Sequence, residues 1–370
     1  MKINLTDAER KSLDEILTQK DENYDVSQLI NSFLEDHYDA IGESAVRQIM
    51  KEDGTTVEES MIEAFHRYLS LDRQDPQVEK MKEDTDFGNL AHIKEEEFLN
   101  HPFNKIKVEP VCYGSYQLRY NYFEPFEIFN CDETKTDEKN NYAEKTTLGY
   151  FEKKVPYLML TQKDEIWMSI TPHEINTMRN DIKEAKGRVL TLGLGLGYYA
   201  FEVSNKKEVS EVIIIEKDRN VITLFEKNIL PHFPHKEKIH IIRQDAFLYF
   251  ERELRSEHFD TIFVDIYHTP DDALPLYLRF RKGEDKIKGQ KVDYWIEESI
   301  LAYLRRFVLT IIEEYYQGYT KDDYMVAEDE QSEILKKIYM YLSKKEFNSL
   351  NDIHQILSND GLRELSQHIN

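Results

Sequence analysis

Apolar positions along this chain change their spacing three times, and each change predicts a different kind of structure. Up to residue 98 they recur at helical intervals: Leu13, Ile16 and Leu17, then Leu29, Ile30, Phe33, Leu34, Tyr38 and Ile41, then Met61, Ile62, Phe65, Tyr68 and Leu69. Glycine and proline are rare there. The spacing predicts a small helical domain over 1–98, with the highly charged stretch 72–97 bridging to the next unit of the chain. From about residue 103, Val, Tyr, Phe and Ile alternate roughly with polar residues, which predicts strands up to 130 and again over 148–170. A hairpin turn is expected at 161–164. Residues 132–147, DETKTDEKNNYAEKTT, hold few apolar side chains and read as an exposed, mobile loop. Together 99–170 predict a small antiparallel β unit.

Residues 171–185 read as a helix, with Thr171 as its cap, Pro172 at the first helical position and Glu174 completing a capping box. Short apolar runs then alternate with helical segments. Strands are expected at 189–192, 212–215, 239–243 and 261–265, with helices at 198–204, 219–229 and 246–255. That alternation predicts a parallel sheet with right-handed crossovers, in an α/β core over 171–290. Residues 291–370 return to helical texture. No hairpin pair of strands is visible after Asp265, so the far edge of the sheet is left open.

The most informative stretch is 187–218, GRVLTLGLGLGYYAFEVSNKKEVSEVIIIEKD. A buried strand would lead into Gly193, Leu194, Gly195 and Gly197, where the backbone can turn sharply and approach a ligand. The N–H groups at the start of the next helix would face that ligand. Glu216 lies 23 residues after Gly193. It would sit at the tip of the second strand, positioned to accept hydrogen bonds from two ribose hydroxyls. The plainer reading, a tight turn with glycines for packing only, leaves the position of that acid unexplained.

Composition narrows the partners. The chain has 370 residues, enough for two or three packed units, and a formal charge of -23. That charge excludes a duplex-binding surface, which needs a positive field, and suits cationic ligands. A basic run at 279–291 is a solvated loop unless it closes over the ligand site, where it could receive an acidic substrate. No apolar run approaches the roughly 18 residues of a membrane span, and the first residues lack the apolar core of a signal peptide. Cys112 and Cys131 have no metal-ligand spacing around them and read as reduced thiols of a cytoplasmic protein. No metal is expected.

Four predicted strand ends carry polar candidates on one rim, where ligands of parallel sheets bind. They are the glycine loop, Glu216 with Lys217 after it, Asp245 with Ala246 and Phe247 after it, and Asp265 with Tyr267 and His268 after it. Asp245 could cap the helix beginning at Ala246 or accept from an adenine amine with Ala246 and Phe247 against the base, and the two are compatible. Asp265 could be a turn residue, but it follows a strongly apolar strand onto the rim. His173 and Glu174 should approach the same rim, although capping already accounts for Glu174. His232 and His235 read as loop residues.

At these residues the chain resembles the class I S-adenosylmethionine-dependent methyltransferases. VLTLGLGLGYYA is similar to their first motif, VIIIEKD to the second-strand acid and FDTIFVDIYHT to the fourth-strand motif. The layout looks most like the spermidine synthase branch, with DEIWMSITPHE in the place of a DE-x-x-YHE segment. The likeness covers roughly 148–270. It implies a Rossmann-like core that binds S-adenosyl-L-methionine through Gly193, Leu194, Gly195, Gly197, Glu216, Lys217, Asp245 and Ala246. Asp265 would be the catalytic aspartate, assisted by Tyr267 or His268. Three departures matter. Thr191 replaces an acid common in the first motif, the loop is GLGLGYY, and Asp265-Ile266-Tyr267-His268-Thr269 lacks the second carboxylate that holds a polyamine. Losing such a partner of an ammonium would cost on the order of 2–5 kcal/mol, which ranks methyl transfer above aminopropyl transfer. The expected protein is a methyltransferase acting on a small, amine-compatible substrate. The alternatives are a spermidine synthase-like aminopropyltransferase and a non-catalytic binding or scaffold protein. The apolar helices at both ends are compatible with a homodimer.

Overall fold

The computed structural model describes residues 1–71, 75–163, 165–287, 290–326 and 329–369. It is a mixed α/β chain built on a parallel sheet. We label the strands of the two larger sheets β1 (Val111–Tyr113), β2 (Tyr116–Phe123), β3 (Val155–Gln162), β4 (Glu165–Ser169), β5 (Gly187–Leu192), β6 (Val209–Glu216), β7 (Ile239–Arg243), β8 (Thr261–Val264) and β9 (Val292–Tyr294).

Strands β5 to β9 form the parallel sheet in the order β7-β6-β5-β8-β9. Their residues form this sheet because they are apolar on both faces. Val212, Ile214 and Ile215 of β6 and Ile262, Phe263 and Val264 of β8 are all essentially inaccessible to solvent, and each such side chain contributes roughly 1.5–3 kcal/mol by burial. The register aligns the strand ends: Leu192 pairs with Ile215 and Val264, and Glu216 with Arg243. The residues immediately after these strands therefore share one rim. The strand order reverses between β5 and β8, the point at which such sheets leave a crevice for ligands. After Asp265 the sheet gains β9, three residues long, and among the described residues no later strand joins it.

Strands β1 to β4 form an antiparallel sheet in the order β4-β3-β2-β1. The β3–β4 pair is a hairpin whose turn includes Lys163; position 164 lies outside the described residues, as do 72–74 of the charged bridge and 288–289 of the basic run. Segment 132–147 departs from its expected exposure. It folds into a two-stranded ribbon, Lys135–Asp137 against Ala143–Lys145, with Tyr142, Ala143 and Glu144 buried. Glu144 is paired with Arg306. The sparse apolar residues of this segment are the ones it buries, so average polarity misled the expectation.

Helix Asp7–Asp36 opens with a Thr6–Glu9 capping box and runs without a break through the first expected apolar stripe and the second as far as Leu34, with Tyr38 and Ile41 beyond its end. Leu13 and Ile16 enter the main core, whereas Val26, Ile30 and Phe33 pack with Ile49, Met61 and Phe65. The helix rests on Glu297–Tyr316 and Leu350–Leu357, and the short strand Lys2–Ile3 pairs with Glu346–Phe347. The terminal regions therefore close on each other, and their stripes are consumed within the chain. Leu90–His92 pairs with Leu148–Tyr150, so the two regions divided at residue 98 share a sheet. Among the described residues no helix is long and apolar enough to cross a membrane. Both cysteines are free, Cys112 exposed and Cys131 buried.

Candidate functional site

A cavity of about 680 Å³ lies over the carboxyl ends of β5, β6, β7 and β8, within the range of small-molecule sites. The antiparallel sheet covers it: Ile166, Trp167 and Met168 of β4 and Tyr116 of β2 line its upper wall. The Tyr116 hydroxyl donates to Asp218 Oδ2 at 3.0 Å, which ties that sheet to the end of β6.

The glycine loop meets distinct demands at each position. Gly193 has φ +103°, and a Cβ there would overlap the backbone carbonyl oxygen of Asp265. Gly195 has φ +58°, and a Cβ there would find nothing nearer than 3.8 Å, so its open side faces the cavity. At Gly197 a Cβ would strike the Phe225 ring, which makes that position one of helix packing. Thr191 donates its hydroxyl to the Gly193 carbonyl at 3.0 Å and braces the loop. Leu194 is buried against it.

Glu216 stands at the tip of β6 and lines the cavity. Its Oε1 accepts the Asp218 N–H at 2.7 Å. Burial raises its proton affinity, and backbone N–H groups of Asp218, Leu194 and Lys217 oppose the rise. A carboxylate offers about four acceptor positions, so the fixed group retains capacity for hydroxyls. Lys217 is exposed at the cavity edge. Asp245 caps its helix, with Oδ1 accepting the Leu248 N–H at 3.0 Å, and also lines the cavity beside Ala246. That helix is shorter than expected: after Ala246–Leu248 it widens, and the Leu254 N–H reaches back to the Tyr249 carbonyl. Phe247 lines the cavity as well. Its ring stacks on Phe280 at 4.3 Å with the Arg279 guanidinium 3.9 Å over it, so what it offers a ligand is its edge.

Asp265 follows β8 into the cavity. Burial, with a smaller contribution from Glu216, pushes its carboxyl up to about 7. Tyr267 is 3% exposed, and its hydroxyl donates to the Trp295 carbonyl at 2.7 Å. That commitment makes it a support for Trp295. Trp295 is held further by its Nε1–H bond to Thr177 Oγ1 at 2.8 Å and by Ile296, whose φ of 50° is a strained conformation for a β-branched residue. His268 is exposed on the cavity edge, its ring edge-on to Trp167 at 5.0 Å.

The expected capping box at Thr171 is absent: its side chain makes no capping bond, and the helix breaks at Met178 into Pro172–Thr177 and Arg179–Glu184. Glu174 is thereby released from capping and lines the cavity. Burial, then the neighbouring Asp265 charge, raise its proton affinity well above the carboxylate range. His173 is turned away against Trp295 at 6.0 Å, and burial lowers it to about 4. None of the described residues of the basic run lines the cavity. Arg279 reaches Glu251, Arg281 reaches Glu284 and Lys291 reaches Glu184. The cavity wall therefore carries Glu174, Glu216, Asp218, Asp245 and Asp265 against the single cation Lys217 among its described residues, with His268 beside them. Sequence reasoning missed Tyr116 and Trp295, which lie in no motif, passed over Trp167 within DEIWMSITPHE, and explained Glu174 away.

No protein-family model matches this chain, and no curated protein does. Solved structures similar to it include the spermidine synthase from Thermotoga maritima, at 16% identity over 41% of this chain and 58% of that one, with a TM-score of 0.28. A spermidine synthase in complex with the transition state analogue AdoDATO is similar at 15% identity over 41% and 58%, with a TM-score of 0.27. MNMC2 from Aquifex aeolicus is similar at 16% identity over 51% and 82%, with a TM-score of 0.28. The matches thus span 58% of the two spermidine synthases' length.

Proposed function

We propose that the chain is an S-adenosyl-L-methionine-dependent methyltransferase with a Rossmann-like core, acting in the cytoplasm on a small cationic acceptor. One observation carries the reading: polar groups following four parallel strands, the loop 193–197, Glu216, Asp245 and Asp265, line one cavity. The residues fit the cofactor. Gly195 leaves open the space a Cβ would fill, Glu216 is fixed by backbone donors, and one Asp245 oxygen has no partner among the described residues.

When bound, S-adenosyl-L-methionine supplies an electrophilic methyl carbon on a sulfonium. Glu216 holds the ribose hydroxyls, and Asp245 accepts from the adenine amine while capping its helix. Gly193, Leu194, Gly195 and Gly197 shape the approach, with Lys217 and Ala246 at its sides. Asp265 orients the acceptor and takes its proton; a carboxyl near 7 is matched to that task. His268 lies where it can assist by hydrogen bonding, and Tyr267 acts through Trp295. Positioning of the acceptor by Asp265 supplies much of the rate.

Isothermal titration with S-adenosylhomocysteine tests the reading. The parent protein should bind it, and Glu216→Ala should bind roughly ten- to a hundred-fold more weakly, as expected for losing a charged hydrogen-bond acceptor. Equal binding by the two proteins, or none by either, overturns it.

Aminopropyl transfer is the second reading. It ranks lower for want of a second carboxylate after Asp265, yet Glu174 reaches the same cavity from another element. Release of methylthioadenosine from decarboxylated S-adenosylmethionine and a diamine would favour it.

A further inference from the structure

We propose that Glu174 is the specificity-determining partner of Asp265, and that the two carboxyls bind the acceptor as an ammonium by giving up a proton when it enters. The inference rests on group transfer at this cavity and gives a role to a residue that the sequence had assigned to capping.

Glu174 arrives from helix Pro172–Thr177 and Asp265 from the end of β8, and both face the cavity. They are close enough for the Asp265 charge to act on Glu174. Among the described residues, neither side chain is bonded to a donor or paired with a cation. Every other carboxylate on the wall has a protein donor: Glu216 has the Asp218 N–H, Asp218 has Tyr116 and the Asn220 N–H, and Asp245 has the Leu248 N–H. A half-buried carboxyl with no protein donor depends for its hydrogen bonds on whatever fills the cavity, and two together cannot both ionise without a cation between them. The other titratable and charged groups lining the cavity among the described residues are Glu216, Lys217, Asp218, Asp245 and His268, with Tyr116, Tyr198, Tyr199 and Tyr267. Only Lys217 brings a fixed positive charge, and it is exposed at the edge.

In the empty protein the pair therefore holds at least one proton near neutral pH. An ammonium lowers the proton affinity of both carboxyls, so binding it must release protons. A neutral acceptor gains nothing from that exchange. Apolar walls at Ile166, Trp167 and Leu276 suit an alkyl chain behind the charged end.

The test uses the full chain loaded with S-adenosylhomocysteine, and n-hexylamine against 1-hexanol as probes. Calorimetry in two buffers of different ionisation heat counts the protons released. The parent should bind the amine about ten- to thirty-fold more tightly than the alcohol and release protons only with the amine. Glu174→Gln should lose that preference and the proton release while binding S-adenosylhomocysteine as the parent does. Glu174→Asp, which keeps the charge, should restore part of both. An amine no tighter than the alcohol, or a Glu174→Gln protein with undiminished amine preference, overturns the proposal. If the parent fails to bind S-adenosylhomocysteine, the transferase reading falls, and the same comparison without it still decides the role of Glu174.

Discussion

Gly193 and Asp265 are in backbone contact: a Cβ on Gly193 would overlap the Asp265 carbonyl oxygen, and the Asp265 N–H donates to the Leu192 carbonyl at 2.9 Å. The end of β5 and the end of β8 are thus locked together, and the loop that would approach a cofactor fixes the height of the acid facing the acceptor. Gly193→Ala cannot be relieved by rotating a side chain. It should cost on the order of 1–3 kcal/mol of stability by overpacking and move Asp265. Gly195→Ala meets no neighbour and should cost about 1 kcal/mol, for its left-handed backbone alone, yet its methyl would enter the cavity. Thermal melting should separate the two, with Gly193→Ala clearly the less stable. Binding of S-adenosylhomocysteine should be weakened in both. Undiminished binding by Gly195→Ala would show that the loop does not meet the ligand.

Much of this arrangement was legible because the core strands are buried on both faces. Apolar runs such as 212–215 and 261–264 name their own strands, and the residue after each run falls on the rim. Three features were not legible. The capping pattern Thr171-Pro172-His173-Glu174 is a local rule, but a buried cavity competed for Glu174 and won. Strand β9 is three residues long and only its first two are partly exposed, so it has no periodicity to read. The ribbon at 135–145 was hidden for a related reason, since its burial depends on Arg305 and Arg306 arriving from helix Glu297–Tyr316.

Tyr267 offers a sharp separation between support and chemistry. Its hydroxyl is spent on the Trp295 carbonyl in a buried setting. Tyr267→Phe leaves that carbonyl without this donor and should cost about 1–2 kcal/mol, seen as a lower melting temperature. The pH dependence of turnover should keep its shape. A shifted pH profile with unchanged stability would instead make the hydroxyl a participant.

Asp265 should set the acidic limb of the pH–rate profile. Its carboxyl is pushed up to about 7 by burial and by Glu216, and only the ionised form can accept a proton. The kcat/KM profile, which reports the free protein, should therefore rise with pH through about 7. That apparent value belongs jointly to Asp265, Glu174 and Glu216, because their titrations interact. Asp265→Asn should abolish the limb together with most of the activity. A profile flat across neutrality in the parent would remove Asp265 from the role of base.

A further pH effect on stability should come from outside the cavity, at Glu133. This side chain is buried among Glu298, Asp132 and Asp181, and its Oε2 accepts the Glu298 N–H at 3.2 Å near the start of helix Glu297–Tyr316. Burial first, and those three acids next, push its carboxyl up to about 8 from an ordinary value of 4.5. A folded-state value above the unfolded one means that the folded chain binds the proton more tightly. The contribution is then complete below the ordinary value and is lost as pH rises towards the folded value. Asp181, pushed up to about 7 by burial and by Asp293, adds in the same direction. Urea unfolding should accordingly show stability falling by a few kcal/mol between about pH 5 and about pH 8. Glu133→Gln keeps an oxygen for the Glu298 N–H and removes the charge. It should flatten the decline and be more stable than the parent above about pH 8. A decline as steep in Glu133→Gln as in the parent would assign the effect to other buried acids.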